Sequence, residues 1–192
     1  MAYCSLSALT EYLGHSSSDD DALLTGIISR AEAIIDQYTH RTFEATADTT
    51  RYFDADCDVD GPLLYFDEDI CSITTVTNGD GSTISGSYYV TEPRNRAPYW
   101  GIRLKSSSGL FWEYDSNDDH ENAIGVTGKW AWSQTAPADV QHACLRLAAF
   151  LYFQKDSQVF DTTATPELGI ITVPIGMPKD VKNLLEPYRR RS

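Results

Sequence analysis

Apolar residues fall at helical spacing towards both ends of the chain and at strand spacing in its middle. Leu23, Leu24, Ile27, Ile28, Ala31, Ile34, Ile35 and Tyr38 share one face of a helix expected over residues 20–41. Ser29, Arg30, Glu32, Asp36 and Gln37 lie opposite, and Asp19, Asp20 and Asp21 stand where a helix N-terminus favours negative charge. A shorter helix is expected over Leu6–Leu13, capped by Ser5 and stopped by Gly14. A third opens near Pro137, with Asp139 close behind. From residue 140 to residue 153 it is apolar on nearly every side, with Arg146 its one formally charged residue, so it has to be covered on every side. A last helix starts at Pro178 and lines up Val181, Leu184, Leu185 and Tyr188; Pro187 ends or kinks it.

Between residues 49 and 132 the period changes. Short β-prone runs occupy residues 51–53, 63–66, 70–77, 88–90, 102–104 and 124–132. Asn78-Gly79-Asp80-Gly81 is a hairpin marker, and residues 106–109 and 115–122 are polar loops. About six strands fit a small antiparallel sheet or sandwich. The resulting fold class is α+β, a mainly antiparallel helical bundle from the N- and C-terminal parts with an inserted small antiparallel β domain. The expected divisions are 1–48 and 134–157 for the two halves of the bundle, 49–133 for the insert, and 158–192 for an extended C-terminal arm with a terminal helix. Residues 156–174 carry little helix signal and are long for a structureless connection, which points to a segment ordered by a partner. Truncation after Gln158 is therefore expected to spare monomer folding.

Composition narrows the function. The 192 residues carry a formal net charge of −13, and such a surface opposes gripping phosphate, which needs Lys and Arg. It does not oppose letting DNA pass. The basic run Arg189-Arg190-Arg191 either offsets a helix dipole or meets an acidic partner. The start of the chain has neither a basic n-region nor an apolar run, and no stretch is long enough to cross a bilayer. Cys4, Cys57, Cys71 and Cys144 fit no zinc spacing and are expected as reduced thiols, with Cys57 and Cys71 free to approach each other in the β part.

Candidate chemistry is sparse. Asp56-x-Asp58-x-Asp60-Gly61 matches the first half of a calcium loop, with Asp67 in the bidentate position where a longer Glu normally reaches. Its flanks read as strands, so a solvated acidic hairpin turn is the favoured reading and no metal or other cofactor is assigned. There is no Gly-x-Ser-x-Gly elbow, His-Glu-x-x-His or phosphate loop. His15, His40, His120 and His142 are scattered, and Asp67, Glu68, Asp69 and Glu113 offer no selected carboxylate pair, so an enzyme is not expected. Aromatics crowd the β region. Trp130 and Trp132 share a face if their strand is regular, while Tyr99-Trp100 and Phe111-Trp112 lie beside loops as exposed candidates.

Three motifs in this order carry a family resemblance. They are Ala31-x-x-x-Ile35-Asp36-x-Tyr38-Thr39-x-Arg41-x-Phe43, then Pro137-x-Asp139-Val140-x-x-Ala143-Cys144-Leu145-Arg146-Leu147-Ala148, then Pro178-x-x-Val181-x-x-Leu184-Leu185-x-Pro187-Tyr188. Together the ends of the chain resemble the head–tail connector (adaptor, or head-completion) proteins of tailed phages of the siphophage type. The resemblance implies a structural virion protein at the neck, assembled in a bacterial host's cytoplasm. It implies a homo-oligomeric ring, usually a dodecamer, beneath the portal protein. The ring docks a tail or stopper protein and passes DNA without sequence-specific binding or contact with a membrane. On that expectation the oligomer and portal interface draws on Leu145, Phe150, Tyr152, Phe153, Val159, Phe160, Ile170, Ile171, Tyr188, Arg189 and Arg190. A carbohydrate- or protein-binding β module on a helical stalk is the alternative, resting on the exposed aromatics and the acidic loop.

Overall fold

The computed structural model describes residues 3–14, 17–155 and 176–190, together with the backbone of residues 164–165 and 169–170. Val159, Phe160 and Ile171 lie outside the described residues, as do His15 and Arg191; of Ile170 only the backbone is described. The chain divides into two compact units, Met1–His40 with Pro137–Ser192, and Arg41–Ala136. Helices form the first and antiparallel sheets the second, which makes the fold α+β.

The helical unit is built from α1 (Leu6–Leu13), α2 (Asp21–Thr39), α3 (Ala138–Gln154) and α4 (Lys179–Leu185). Local sequence sets the start and stop of α1. The Ser5 hydroxyl accepts the amide of Ala8 at 3.1 Å, and Gly14 adopts the left-handed conformation that ends a helix without a Cβ clash. Ser5→Ala is expected to cost about 1 kcal/mol, read as a lower urea midpoint in equilibrium unfolding. His40 takes the same left-handed conformation after α2, so that helix stops short of Arg41.

α3 is the hub of this unit, packing on α2, α1 and α4. Tyr152, near its C-terminal end, donates its hydroxyl proton to Asp20 at 2.6 Å, just ahead of α2, so α2 and α3 run antiparallel. Val140, Ala143, Cys144, Leu147 and Ala148 of α3 are fully enclosed with Leu9, Leu24, Ala31 and Ile35. Val181 and Leu185 of α4 are enclosed with them, and Arg146 pairs with Asp180 at the start of α4. This corrects the truncation expectation: cutting after Gln158 would strip two core side chains, at a cost of about 2–5 kcal/mol each. Outside the helices, β8 (Ala164–Thr165) and β9 (Gly169–Ile170) form a short antiparallel pair.

The β unit contains β1 (Thr49–Phe53), β2 (Val59–Asp60), β3 (Leu63–Ile70), β4 (Ser72–Thr77), β5 (Tyr89–Glu92), β6 (Tyr99–Leu104) and β7 (Ile124–Lys129). One sheet has the order β1-β7-β4 and the other β2-β3-β6-β5. Alternation sends Phe53, Val76, Ile124 and Val126 of the first sheet and Leu64, Phe66, Ile102 and Leu104 of the second into one shared core. Trp130 plugs it, its ring centroid 5.3 Å from Phe66 and 5.7 Å from Phe53, and its indole N–H donates to the Thr49 carbonyl at 3.0 Å.

Two local expectations change here. The last strand ends at Lys129, so Trp130 and Trp132 do not share a strand face; Trp130 turns into the core while Trp132 lies beside Phe43 under the Arg41 guanidinium. The Asn78-Gly79-Asp80-Gly81 turn does form, closed by Asn78 and Ser82, but the strands it joins pair for a single bridge, Thr77 with Thr83. The Asn78 side chain is buried instead, donating to the Phe111 carbonyl and accepting from the Glu113 amide.

Candidate assembly surface

The apolar surplus of α3 is smaller than its sequence suggests and sits at its C-terminal end. Leu145, Phe150 and Leu151 are half-buried, and Phe153 is 62% exposed. Tyr152 is committed within its own unit. It is buried, bonded to Asp20, and covered by the Lys155 ammonium 4.0 Å from its ring centroid. The bond to the Asp20 carboxylate holds the Tyr152 phenol above its usual range.

Beside this end lies a groove of about 400 Å³ between α2 and α3. Ala22, Leu23, Gly26 and Ile27 form one wall, Leu151 the other, with Arg30 and Lys155 among the polar lining. Leu23 is 43% exposed, and Gly26 leaves the α2 backbone uncovered. The expected core stripe of α2 includes Leu23 and Ile34. At 100° per residue Leu23 stands about 100° and Ile34 about 80° from Leu24, so both belong to its flank. Among the described residues, the helical unit thus offers a concave apolar surface, the groove, and a convex one, around Phe150 and Phe153.

The remaining interface candidates fold back onto the same unit. The Arg189 guanidinium lies 5.6 Å from the Tyr38 ring centroid, and the Arg190 amide donates to the Thr39 carbonyl. Tyr38 donates its hydroxyl to Glu186 at 2.8 Å, which raises the Tyr38 pKa. Tyr188 is half-buried near Asp139, and burial raises its pKa first, the carboxylate second. Described Arg189 and Arg190 are therefore stacked and tethered.

The carboxylates of the calcium-like loop engage other groups. Asp67 pairs with Arg51 at 2.9 Å, Asp58 accepts the Asp54 amide, and Asp56 faces His120 at 3.6 Å. Asp60 lies in the two-residue strand β2. No cluster of three or more His, Cys, Asp or Glu side chains arranged for a metal exists among the described residues. A second acidic loop closes on itself, because Asp115 accepts the amides of Asn117 and Asp119, which lower its pKa. His40 is a helix cap and His142 is exposed on α3, so neither is drawn into a shared centre with His120.

Of the exposed aromatic candidates, Trp100 stacks on Tyr65 with ring centroids 5.7 Å apart, and Phe111 is 75% exposed. Trp112 is half-buried and donates its indole N–H to the Pro62 carbonyl. No helix among the described residues is long and apolar enough to cross a membrane.

The sequence matches no family model and no curated protein. The architecture does match solved structures. A chain from the neck of the empty gene transfer agent particle, computed with C6 symmetry, superposes with a TM-score of 0.60 at 13% identity, over 97% of this chain and 89% of that one. The chain has the fold of a virion neck chain. A chain from the virion of the native gene transfer agent particle gives a TM-score of 0.58 at 16% identity, over the same shares of both chains. The neck fold is thus common to both units of the present chain, since nearly its whole length is covered. At these identities the likeness lies in the backbone path and not in particular side chains.

Proposed function

We propose that this chain is a structural neck protein of a virion, a head–tail connector that forms a ring beneath the portal. It passes DNA through its centre and docks tail or stopper proteins below. The observation that carries this reading is the superposition of almost the entire chain on a neck chain. The net charge of −13 supports a channel wall that releases phosphate. No catalytic role is assigned.

A closed ring repeats one heterologous contact, in which each copy presents two unlike surfaces. The groove lined by Leu23 and Leu151 supports the receiving role, and Phe153 beside Phe150 the inserting one. C6 symmetry in the neighbouring particle is compatible with six copies or with a dodecamer, since a twelvefold ring contains a sixfold axis. The segment 158–175, with Val159, Phe160, Ile170 and Ile171, extends this interface to the portal or an adjacent copy. The β unit carries the loops that meet tail components.

The test is electron microscopy and native mass spectrometry of the purified chain, alone and mixed with its portal. The expected result is a closed ring seated on the portal, with a mass that fixes the copy number. A chain that stays monomeric and leaves the portal bare contradicts the proposal.

A further inference from the structure

The sequence separates Cys4 from Cys144 by 140 residues, yet their sulfurs stand 3.2 Å apart inside the helical unit. Cys144 is fully buried on α3, and Cys4 lies just ahead of the α1 cap with its edge at the surface. The short segment holding Cys4 is fixed on its other side by α2. There the Tyr3 amide donates to Glu32 at 2.5 Å and the Tyr3 hydroxyl to Asp36 at 2.6 Å. The two sulfurs are thus brought into contact from two sides, Cys144 by α3 and Cys4 by a segment tethered to α2. A disulfide needs the sulfurs about 1.1 Å closer, at about 2.05 Å. All four cysteines are free; Cys57 is exposed and Cys71 half-buried.

We infer that Cys4 and Cys144 are a built-in oxidative cross-link site, closed by a peroxide or by a low-molecular-weight disulfide. With hydrogen peroxide, the Cys4 thiolate attacks one oxygen, the O–O bond breaks and hydroxide leaves, giving a sulfenic acid. The Cys144 sulfur then attacks the Cys4 sulfur, the S–O bond breaks, and the Cys144 proton leaves with the departing oxygen as water. In balance, two thiols and one peroxide give one disulfide and two waters. Accepting the Cys144 hydrogen bond makes Cys4 the more acidic partner, while that bond and burial push Cys144 up. Exposed Cys57 is deactivated by comparison, since the adjacent Asp56 carboxylate raises its pKa.

The cross-link has a definite mechanical meaning. The helical unit consists of two chain segments, joined covalently only through the whole β unit. The bond clamps those segments directly. This inference does not rest on the neck reading; only its timing does, with thiols in a reducing cytosol and a disulfide after release of the particle.

The test uses the purified full chain, treated with hydrogen peroxide or oxidised glutathione under native conditions, then denatured, alkylated and weighed. After subtraction of its two alkyl groups the expected product is about 2 Da lighter than the reduced chain, yields a linked Cys4–Cys144 peptide, and carries those alkyl groups on Cys57 and Cys71. Its thermal midpoint rises by about 5–10 °C, reversed by dithiothreitol. The Cys57→Ser/Cys71→Ser variant should behave identically, and Cys4→Ser should show no mass loss. Alkylation of both Cys4 and Cys144, a sulfinic acid or mixed glutathione adduct at Cys4 without the link, or a bond through Cys57 or Cys71 overturns the inference. A chain that cross-links but never forms rings retains this site and loses the neck reading.

Discussion

Gly128→Ala should destabilise the β unit by about 3 kcal/mol, whereas Gly125→Ala on the same strand should change stability by less than about 1 kcal/mol. The two glycines are three residues apart on β7, the central strand of its sheet. At Gly128 an added Cβ would clash with the Ser72 carbonyl oxygen and stand 2.7 Å from Ile70 Cδ1 and 3.1 Å from Ile73 Cα. Two of these three neighbours are backbone in β4, which bulges here between Ile73 and Thr75, so neither can swing aside as a side chain would. At Gly125 the nearest atoms, on Tyr52 and Thr77, are 3.6–3.8 Å away, an ordinary contact distance. Alanine there also restricts the unfolded chain, which offsets part of any cost. Urea unfolding followed by tryptophan fluorescence reports on the unit through the buried Trp130. Equal midpoints for the two variants would refute this account of β7.

Rings should be lost when either Phe153 or Leu23 becomes aspartate, with the monomer's thermal midpoint unchanged. Both side chains already meet solvent in the single chain, so the change removes little that the monomer uses. At a subunit contact an aromatic anchor contributes about 2 kcal/mol, which is roughly a 30-fold loss of affinity at every junction of the ring. The unlike surfaces permit a sharper version. An F153D chain keeps an intact groove, and an L23D chain keeps an intact Phe153. Mixed in equal amounts they can make one sound junction and no second, so sedimentation should show dimers and no rings. Rings from either variant alone, or from the mixture, would remove Phe153 and the groove from the interface.

The legible parts of this fold are those fixed by neighbours in sequence. The boundaries of α1 follow from Ser5 and Gly14, and the core stripe of α2 from Leu24, Ile27, Ile28, Ala31 and Ile35. Pairing of strands was not legible. β7 follows all other strands of its unit yet lies between β1 and β4, a choice made by the shared core and not by any turn. The Asn78 turn was recognisable, but its burial depends on the distant backbone of Phe111 and Glu113. At the candidate surface, the apolar character of α3 was plain from sequence. Which of its side chains stay uncovered depended on where α1, α2 and α4 pack, so Phe153 stands out and Tyr152 does not. The approach of Cys4 to Cys144 leaves no trace in spacing, because it depends on the helical unit closing around both.

That unit draws Leu9 and Leu24 from the first forty residues, and Leu147 and Leu185 from the far side of the β unit. A nascent polypeptide therefore lacks a complete helical core until Leu185 has been synthesised, while the β unit is contiguous and already available. If the chain assembles as proposed, partial translation products would have no finished surface with which to polymerise. In the proposed ring the interrupted layout would then act as a timing device, admitting only full-length molecules as building blocks.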